Sequence, residues 1–365
     1  MKTEKLMQIA RSFDIDAQPV KTTLIDIGHI NKTYIIDYDN NEKYILQYVN
    51  TNVFPNLNEL MSNAQRVTNY IEKKGNITTI EFIKLKESDE YIYNKNWRMQ
   101  KFIKNTKTYL ATESLEKLYE AGKAVGNFQK EVEGFDANTL YEVIPMFHYT
   151  PNRVAQLKEA IESKENREKR PERFEKAKKE IEFLTDEKRI SRTNQIVEGL
   201  KTGKIPLRVT HNDTKLSNIL FDNQTEKAVC LIDFDTIMPG SIVYDFGEGI
   251  RSGGTTSKED EQDTTKIHFD LARYEAFTKG FMEKAKDVIT KEEVEMLPLG
   301  AWMMTYENLI RFLTDYLNGD IYFSVNPEIE DHNLIRVRAQ SEILKQIEQN
   351  EEKMKGMIKK WIIKN

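Results

Sequence analysis

The stretch that most constrains this chain is 208–235, RVTHNDTKLSNILFDNQTEKAVCLIDFD. His211-Asn212-Asp213 is followed, five residues after the aspartate, by Asn218, and an apolar run then ends at Phe221. A polar turn, Asp222 to Glu226, leads to a second apolar run from Ala228 to Ile232, which delivers Asp233 and Asp235. Two short apolar runs about such a turn predict a buried hairpin. That hairpin brings Asp213, Asn218 and Asp233 to one point.

Three oxygen-bearing side chains in that order fit phosphoryl transfer. A hydroxyl attacking the γ-phosphate of ATP needs a carboxylate to orient it and accept its proton, and Mg²⁺, a hard cation bridging the phosphates, needs oxygen ligands. Asp213 suits the first task; Asn218 and Asp233 suit the second. Protein kinases use the same order of aspartate, asparagine and metal-binding aspartate. Either fragment alone reads as a polar turn or a strand end, and their combination across a hairpin is what points to a site.

At 365 residues the chain is long enough for two lobes. A net charge of −5 does not suit a general nucleic-acid binder, whose footprint is basic. The single cysteine, Cys230, lies in an apolar strand and rules out an internal disulfide. Nowhere do about 18 apolar residues run together, and the charged N-terminus lacks a signal-like core. A cytoplasmic enzyme with a small-molecule substrate, and no nucleic-acid, membrane or protein partner, is expected.

The fold expected is α+β and bilobal, protein-kinase-like, with an antiparallel sheet plus helix over 1–103 and a mainly helical lobe over 104–365. Three β-like runs, at 22–27, 33–38 and 43–49, predict a meander. Its first turn, Gly28 to Lys32, is where a kinase covers the phosphates, so Gly28, Ile30, Asn31 and Thr33 are nucleotide-binding candidates. On the third run, Tyr44-Ile-Leu-Gln47 overlays the kinase V-A-I-K, which puts Ile45 towards the adenine and Gln47 where lysine normally meets phosphate. Gln47 donates a hydrogen bond but no charge. Another cation must then supply it, or Mg²⁺ and backbone donors must suffice.

A helix over 56–74 ends at Gly75, and its Glu59 or Asn63 is placed to reach Gln47. Strands over 77–85 and 91–103 complete about five, and the second ends in a hinge where Lys101, Phe102 and Ile103 offer backbone groups to adenine. Further helices are expected at 114–129, within the charged 153–190 segment, and at 266–288, 292–317 and 341–363. Asp245 could buttress the catalytic loop by hydrogen bonding, and the polar loop 252–263 could close over a polar substrate or merely be mobile. Arg311, in an otherwise apolar helix, could bind substrate oxygens or pair with Asp315 at i+4.

With these residues placed, the chain resembles the aminoglycoside phosphotransferase-like kinases, which share an H-x-D-x-x-x-x-N motif. Within them it is most similar to the N-acetylhexosamine 1-kinase group, through Gly28-His-Ile-Asn-Lys-Thr-Tyr34, Tyr44-Ile-Leu-Gln47, Trp97-Arg-Met99, Thr210-His-Asn-Asp-Thr-Lys215, Ile232-Asp-Phe-Asp-Thr-Ile-Met-Pro-Gly240, Tyr244-Asp-Phe-Gly247 and Arg251-Ser-Gly-Gly254. The resemblance implies ATP- and Mg²⁺-dependent phosphorylation of the anomeric hydroxyl of N-acetylglucosamine or N-acetylgalactosamine. It implies Asp213 as base, Asn218 and Asp233 as metal ligands, and sugar contacts from Asp213, Asp233, Arg311 and Tyr322. Asn212 departs from the glycine of the wider superfamily's H-G-D. The alternatives are a kinase for an aminoglycoside, choline or homoserine, or a silent nucleotide-binding protein, the last suggested by the absent lysine.

Overall fold

The computed structural model describes residues 3–25 and 31–362. Ten strands and thirteen α-helices are described, the strands mostly early and the helices mostly late. The N-terminal sheet is antiparallel, in the order β1 (Pro19–Ile25), β2 (Lys32–Tyr38), β3 (Lys43–Tyr48), β5 (Trp97–Lys101), β4 (Phe82–Ile83). Alternation on β2 buries Tyr34, Ile36 and Tyr38 against α1 (Thr3–Ala10), whose Leu6, Ile9 and Ala10 close that side. On β3, Leu46 joins this core, so Ile45 and Gln47 emerge on the other face.

The strands expected over 77–85 and 91–103 shrink to two and five residues. Between them lies the polar run Lys86 to Glu90, and Asn94 and Lys95 take positive φ of 47° and 68°, which turns the chain instead of extending it. Helix α2 (Leu57–Lys74) is capped by Asn56, which accepts the Glu59 N–H, and stopped by Gly75 at φ 67°. Its Leu57, Leu60 and Met61 pack on Val49, Phe54 and Met238, while Ala64, Val67 and Ile71 belong to the core of the helical lobe. One helix thus serves both lobes.

In the C-terminal lobe, β6 (Thr106–Lys107) leads to α3 (Leu115–Glu131), capped by Ser114. Helix α4 (Thr150–Glu162) and five short helices follow: α5 (Lys164–Lys169), α6 (Pro171–Lys176), α7 (Lys178–Leu184), α8 (Glu187–Arg192) and α9 (Asn194–Lys201). Their narrow apolar stripe, Phe174, Ala177 and Leu184, is buried as its spacing suggests. The expected hairpin is β8 (Ile219–Asp222) with β9 (Ala228–Leu231), pairing Ile219 with Leu231 across the turn. Beside it β7 (Arg208–Thr210) pairs with β10 (Met238–Gly240). A Cβ on Gly240 would lie 2.6 Å from the Thr210 hydroxyl, so this close approach needs glycine.

Helix α10 (Ile242–Gly253) then runs behind the hairpin, followed by α11 (Leu271–Ala285), α12 (Lys291–Asn318) and α13 (His332–Ile362). Thr290 and Glu293 form a capping box at the start of α12, and Gly319 ends it at φ 99°. Trp302, Tyr306 and Tyr316 on α12 are among the largest buried side chains, making it the spine of this lobe. Helix α13 begins nine residues before the expected 341, because Leu334, Val337 and Ala339 extend its buried face. No described helix is long and apolar enough to cross a membrane.

Candidate active site

The segment after β7 reverses at Asn212, whose φ of 64° is left-handed. Asparagine tolerates that conformation, which accounts for its standing where glycine is otherwise found. The reversal is fixed from behind by Asp245 on α10, fully buried, whose carboxylate accepts the N–H of His211 at 2.9 Å and of Asn212 at 2.7 Å, and the Gln129 amide at 2.7 Å. The expected buttress is therefore present. His211 donates from Nε2 to the Ile232 carbonyl at 3.0 Å and accepts the Asp213 N–H on Nδ1 at 3.3 Å, which ties the loop to the end of β9. That pattern needs the neutral ring, and burial pushes its pKa below the ordinary value.

Asp213 is thereby aimed outwards and gripped on one side. Asn218 Nδ2 donates to its Oδ2 at 2.8 Å and to its carbonyl at 2.9 Å, while Lys215 Nζ reaches the same Oδ2 at 2.7 Å. Burial works to raise the Asp213 carboxyl, but the Lys215 ammonium overrides it and holds the group below its ordinary value. Asp213 Oδ1 has no partner among the described residues.

Asp233 follows β9 at φ 68°. Among the described residues no donor reaches its carboxylate, and burial, Asp235 and Asp213 together push it up to about 7. A half-buried carboxylate without a partner, next to two more, is what a hard cation would relieve. Asn218 commits its NH₂ to Asp213, which leaves its Oδ1 as an acceptor. The pair fits a divalent ion that takes its remaining ligands from phosphates and water. Among the described residues no cluster of three His, Cys, Asp or Glu forms a self-sufficient cage.

The nucleotide-side candidates are spread along the sheet. Gly28 and Ile30 lie outside the described residues. Asn31 donates to Asp235 Oδ2 at 2.7 Å and accepts the Asn50 N–H at 3.1 Å, so it joins the sheet to the metal-side loop. Gln47 donates to Thr33 Oγ1 at 3.3 Å and accepts from Arg98 Nε at 3.0 Å. Neither Glu59 nor Asn63 reaches it. Asn63 is buried, bridging the carbonyls of Tyr141 and Ile237, and it is Met61, on another face of α2, that meets Arg98. At the hinge, the Lys101 N–H goes to Glu81 and the Phe102 N–H to Lys43, so of the three only the Ile103 N–H has no intramolecular partner among the described residues.

On the opposite side, Arg311 does not pair with Asp315. Asp315 accepts the N–H groups of Ile321, Tyr322 and Phe323 and the Asn333 amide, all at 2.8–3.0 Å, and has no capacity to spare. Arg311 is left without a carboxylate among the described residues, donating to the Tyr322 hydroxyl at 3.2 Å. The rings of Phe147, Tyr322 and Phe323 stand 5.4–5.7 Å from its guanidinium. Glu307, one turn earlier, binds His148 Nδ1 at 2.8 Å, and His148 Nε2 lies 3.3 Å from the Asn212 carbonyl. Helix α12 is thus fastened to the catalytic loop. In the 252–263 loop three of the four acids are paired with cations: Glu259 with Arg251 and Arg336, Asp260 with His332, Asp263 with Lys266, while Glu261 accepts only the Asp263 N–H.

Sequence reasoning missed three members of this site: Arg98, Lys215 and the His148–Glu307 pair. Lys215 lies two residues past Asp213 and so left a local signal, whereas Arg98 gains its meaning only from its register opposite Gln47. His148 left none, since its partners are 64 and 159 residues away.

Comparison with known proteins agrees with this fold. The family model described as "Phosphotransferase enzyme family" matches residues 21–281. Among solved structures, the chain is similar to an aminoglycoside phosphotransferase from Alicyclobacillus acidocaldarius, with a TM-score of 0.57 at 11% identity over 98% of this chain and 96% of that one. It is similar to a choline/ethanolamine kinase family protein from Mesorhizobium loti, with a TM-score of 0.59 at 10% identity over 93% and 92%. It is also similar to an amicoumacin kinase in complex with AMP-PNP and Ca²⁺, with a TM-score of 0.60 at 12% identity over 95% and 94%. At such identities the likeness is one of fold.

Proposed function

Since the chain belongs to the phosphotransferase enzyme family, we propose that it is an ATP- and Mg²⁺-dependent kinase that phosphorylates the anomeric hydroxyl of N-acetylhexosamines. In this reading residues 1–103 hold the nucleotide, with the Ile103 N–H meeting adenine, and residues 104–365 hold the acceptor and the catalytic groups. Asp213 orients the attacking hydroxyl through Oδ1 and takes its proton as the bond to phosphorus forms and the bond to the ADP oxygen breaks. A carboxylate held below its ordinary pKa is a weak base, which suits a loose transition state in which the proton moves late. Asn218 and Asp233 would hold Mg²⁺, which when bound neutralises charge building on the phosphates.

The observation that carries the acceptor assignment is the state of Arg311. A guanidinium with no carboxylate partner among the described residues, edged by Phe147, Tyr322 and Phe323, offers donors to hydroxyls and an acetamido carbonyl and an apolar edge to a pyranose face. It repels polycations. Cationic acceptors would be better served by free carboxylates, and three of the four acids in the 252–263 loop are already paired with cations.

The test is ADP release with Mg²⁺ and ATP across N-acetylglucosamine, N-acetylgalactosamine, glucose, galactose, choline, ethanolamine, homoserine and kanamycin, followed by phosphorus NMR of the product. An anomeric phosphate signal from the acetamido sugars is expected. Turnover of choline or kanamycin with silence on the sugars would overturn the acceptor assignment and keep the kinase.

A further inference from the structure

We propose that Arg98 supplies the positive charge that the nucleotide phosphates require, and that Gln47, in the usual lysine position, serves to aim it. This rests on the kinase reading above. Strands β3 and β5 are antiparallel with Gln47 directly opposite Arg98, so the two side chains emerge side by side on one face. That is the face turned away from the Leu46 core, towards the second lobe. A cation one strand over from the lysine position, on the same face, reaches the same space.

The guanidinium is held rather than consumed. Nε donates to Gln47 Oε1 at 3.0 Å, and Gln47 is itself fixed by its bond to Thr33. Nη1 faces only the Met61 sulfur at 3.8 Å, a weak acceptor. Nη2 makes a close ion pair with Asp235 Oδ1 at 2.5 Å, which leaves its second N–H and both on Nη1 without a strong acceptor. Of five donors, two are engaged, one by Gln47 and one by Asp235. Arg98 is 2% exposed, a costly place for a cation that only pairs with one carboxylate.

Its surroundings are those of a phosphate tail. Asp235 stands two residues beyond Asp233, and its other oxygen accepts Asn31 Nδ2 from the segment that enters β2. Arg98 therefore sits between the metal-side carboxylate and that segment, with Asp235 as resident counter-ion. When a triphosphate arrives, its oxygens take the unused Nη donors, and arginine's fork suits phosphate. The alternative is a purely structural clasp between lobes. The two differ in what they predict for phosphate.

Calorimetry on the full-length protein separates them, with Mg·ATP and adenosine as probes. Arg98→Gln should weaken Mg·ATP about tenfold or more and adenosine less than about twofold. Gln47→Lys added to Arg98→Gln should restore most of the loss by relocating the charge. Asp235→Asn, which keeps the cation and removes its counter-ion, should bind Mg·ATP at least as tightly as the wild type. Equal losses for both probes, no loss for ATP, or an Asp235→Asn defect matching that of Arg98→Gln would each overturn the proposal. If Arg98→Gln does not fold, the double variant and Asp235→Asn still decide. A wild type that binds no Mg·ATP overturns the kinase reading too, whereas one that binds it indifferently to residue 98 overturns only this inference.

Discussion

The catalytic loop and the wall around Arg311 are built with one device to opposite ends. In each, a buried aspartate collects successive backbone N–H groups: Asp245 takes two from the loop, Asp315 three from the 321–323 turn. Both backbones are fixed. In the loop the side chains are fixed as well, with Asn218 and Lys215 on one oxygen of Asp213 and His211 tied to Ile232. In the wall they are open, with Ile321 79% and Tyr322 59% exposed. Under the proposed function the fixed loop would serve the reacting atoms and the open wall the acceptor.

The largest effect that should separate the two regions is that of Asp213→Asn. Loss of the base should lower kcat by about 10²–10⁴-fold for every acceptor, with an unfolding midpoint close to wild type because this side chain is partly exposed. ADP release at saturating acceptor measures it, and retained turnover would remove Asp213 from the chemistry.

Next come the two buttresses, compared directly. Asp245→Ala strands buried N–H groups deep in the core and should cost roughly 2–4 kcal/mol of stability, lowering kcat on all acceptors. Asp315→Ala frees a turn that water can reach and should cost roughly 1–2 kcal/mol, raising acceptor KM while Mg·ATP affinity holds. Urea titrations and full kinetics report both. If Asp315→Ala lowered kcat and spared KM, the division between a chemical and a recognition region would fail.

A third test uses pH on the loop alone. Buried neutral in the fold, His211 has a pKa below its ordinary 6.5, so below that pH the unfolded chain binds a proton the fold excludes. Its contribution is present above pH 6.5 and is lost as pH falls, at up to about 1.4 kcal/mol per pH unit. Denaturation midpoints between pH 7.5 and 5.5 should fall more steeply for wild type than for His211→Gln. Parallel curves would mean that the ring is charged in the fold.

What the sequence made legible follows the same division. Asp213, Asn218 and Asp233 are readable because a hairpin places them by local spacing, and the structure brings them together as that spacing implies, with Asp245 behind them on a helix the sequence reading did not assign. The end of α2 follows from Gly75, and the observed caps Asn56, Thr290 and Gly319 account for the other ends of α2 and α12. The Arg311–Asp315 pair failed because the i+4 rule treats a helix as isolated, whereas α12 ends in a turn whose N–H groups claim Asp315 first. Arg98 escaped because its meaning lies across strands: only register puts it beside Gln47. The 77–103 region was read as two long strands because its apolar residues alternate, but the turn at Asn94 and Lys95 limits the pairing to the residues nearest β3.

The smallest effect is the most diagnostic of the open wall. Tyr322 carries a hydroxyl 3.2 Å from Arg311 Nη2, on an exposed side chain whose ring stacks at its edge on Phe323. Tyr322→Phe keeps the ring, and with it the apolar edge. It removes a single hydrogen bond that water can replace, which is worth about 0.5–1.5 kcal/mol. Acceptor KM should therefore rise by no more than about tenfold, with kcat and Mg·ATP affinity unchanged. An equal effect on N-acetylglucosamine and N-acetylgalactosamine would place the hydroxyl against a group the epimers share. An unequal one would place it at the position where they differ, so that one exposed oxygen chooses between sugars in a site whose reacting groups are indifferent to the choice. A fall in kcat would show that the wall is coupled to the loop, through Arg311, Glu307 and His148, more tightly than its openness implies.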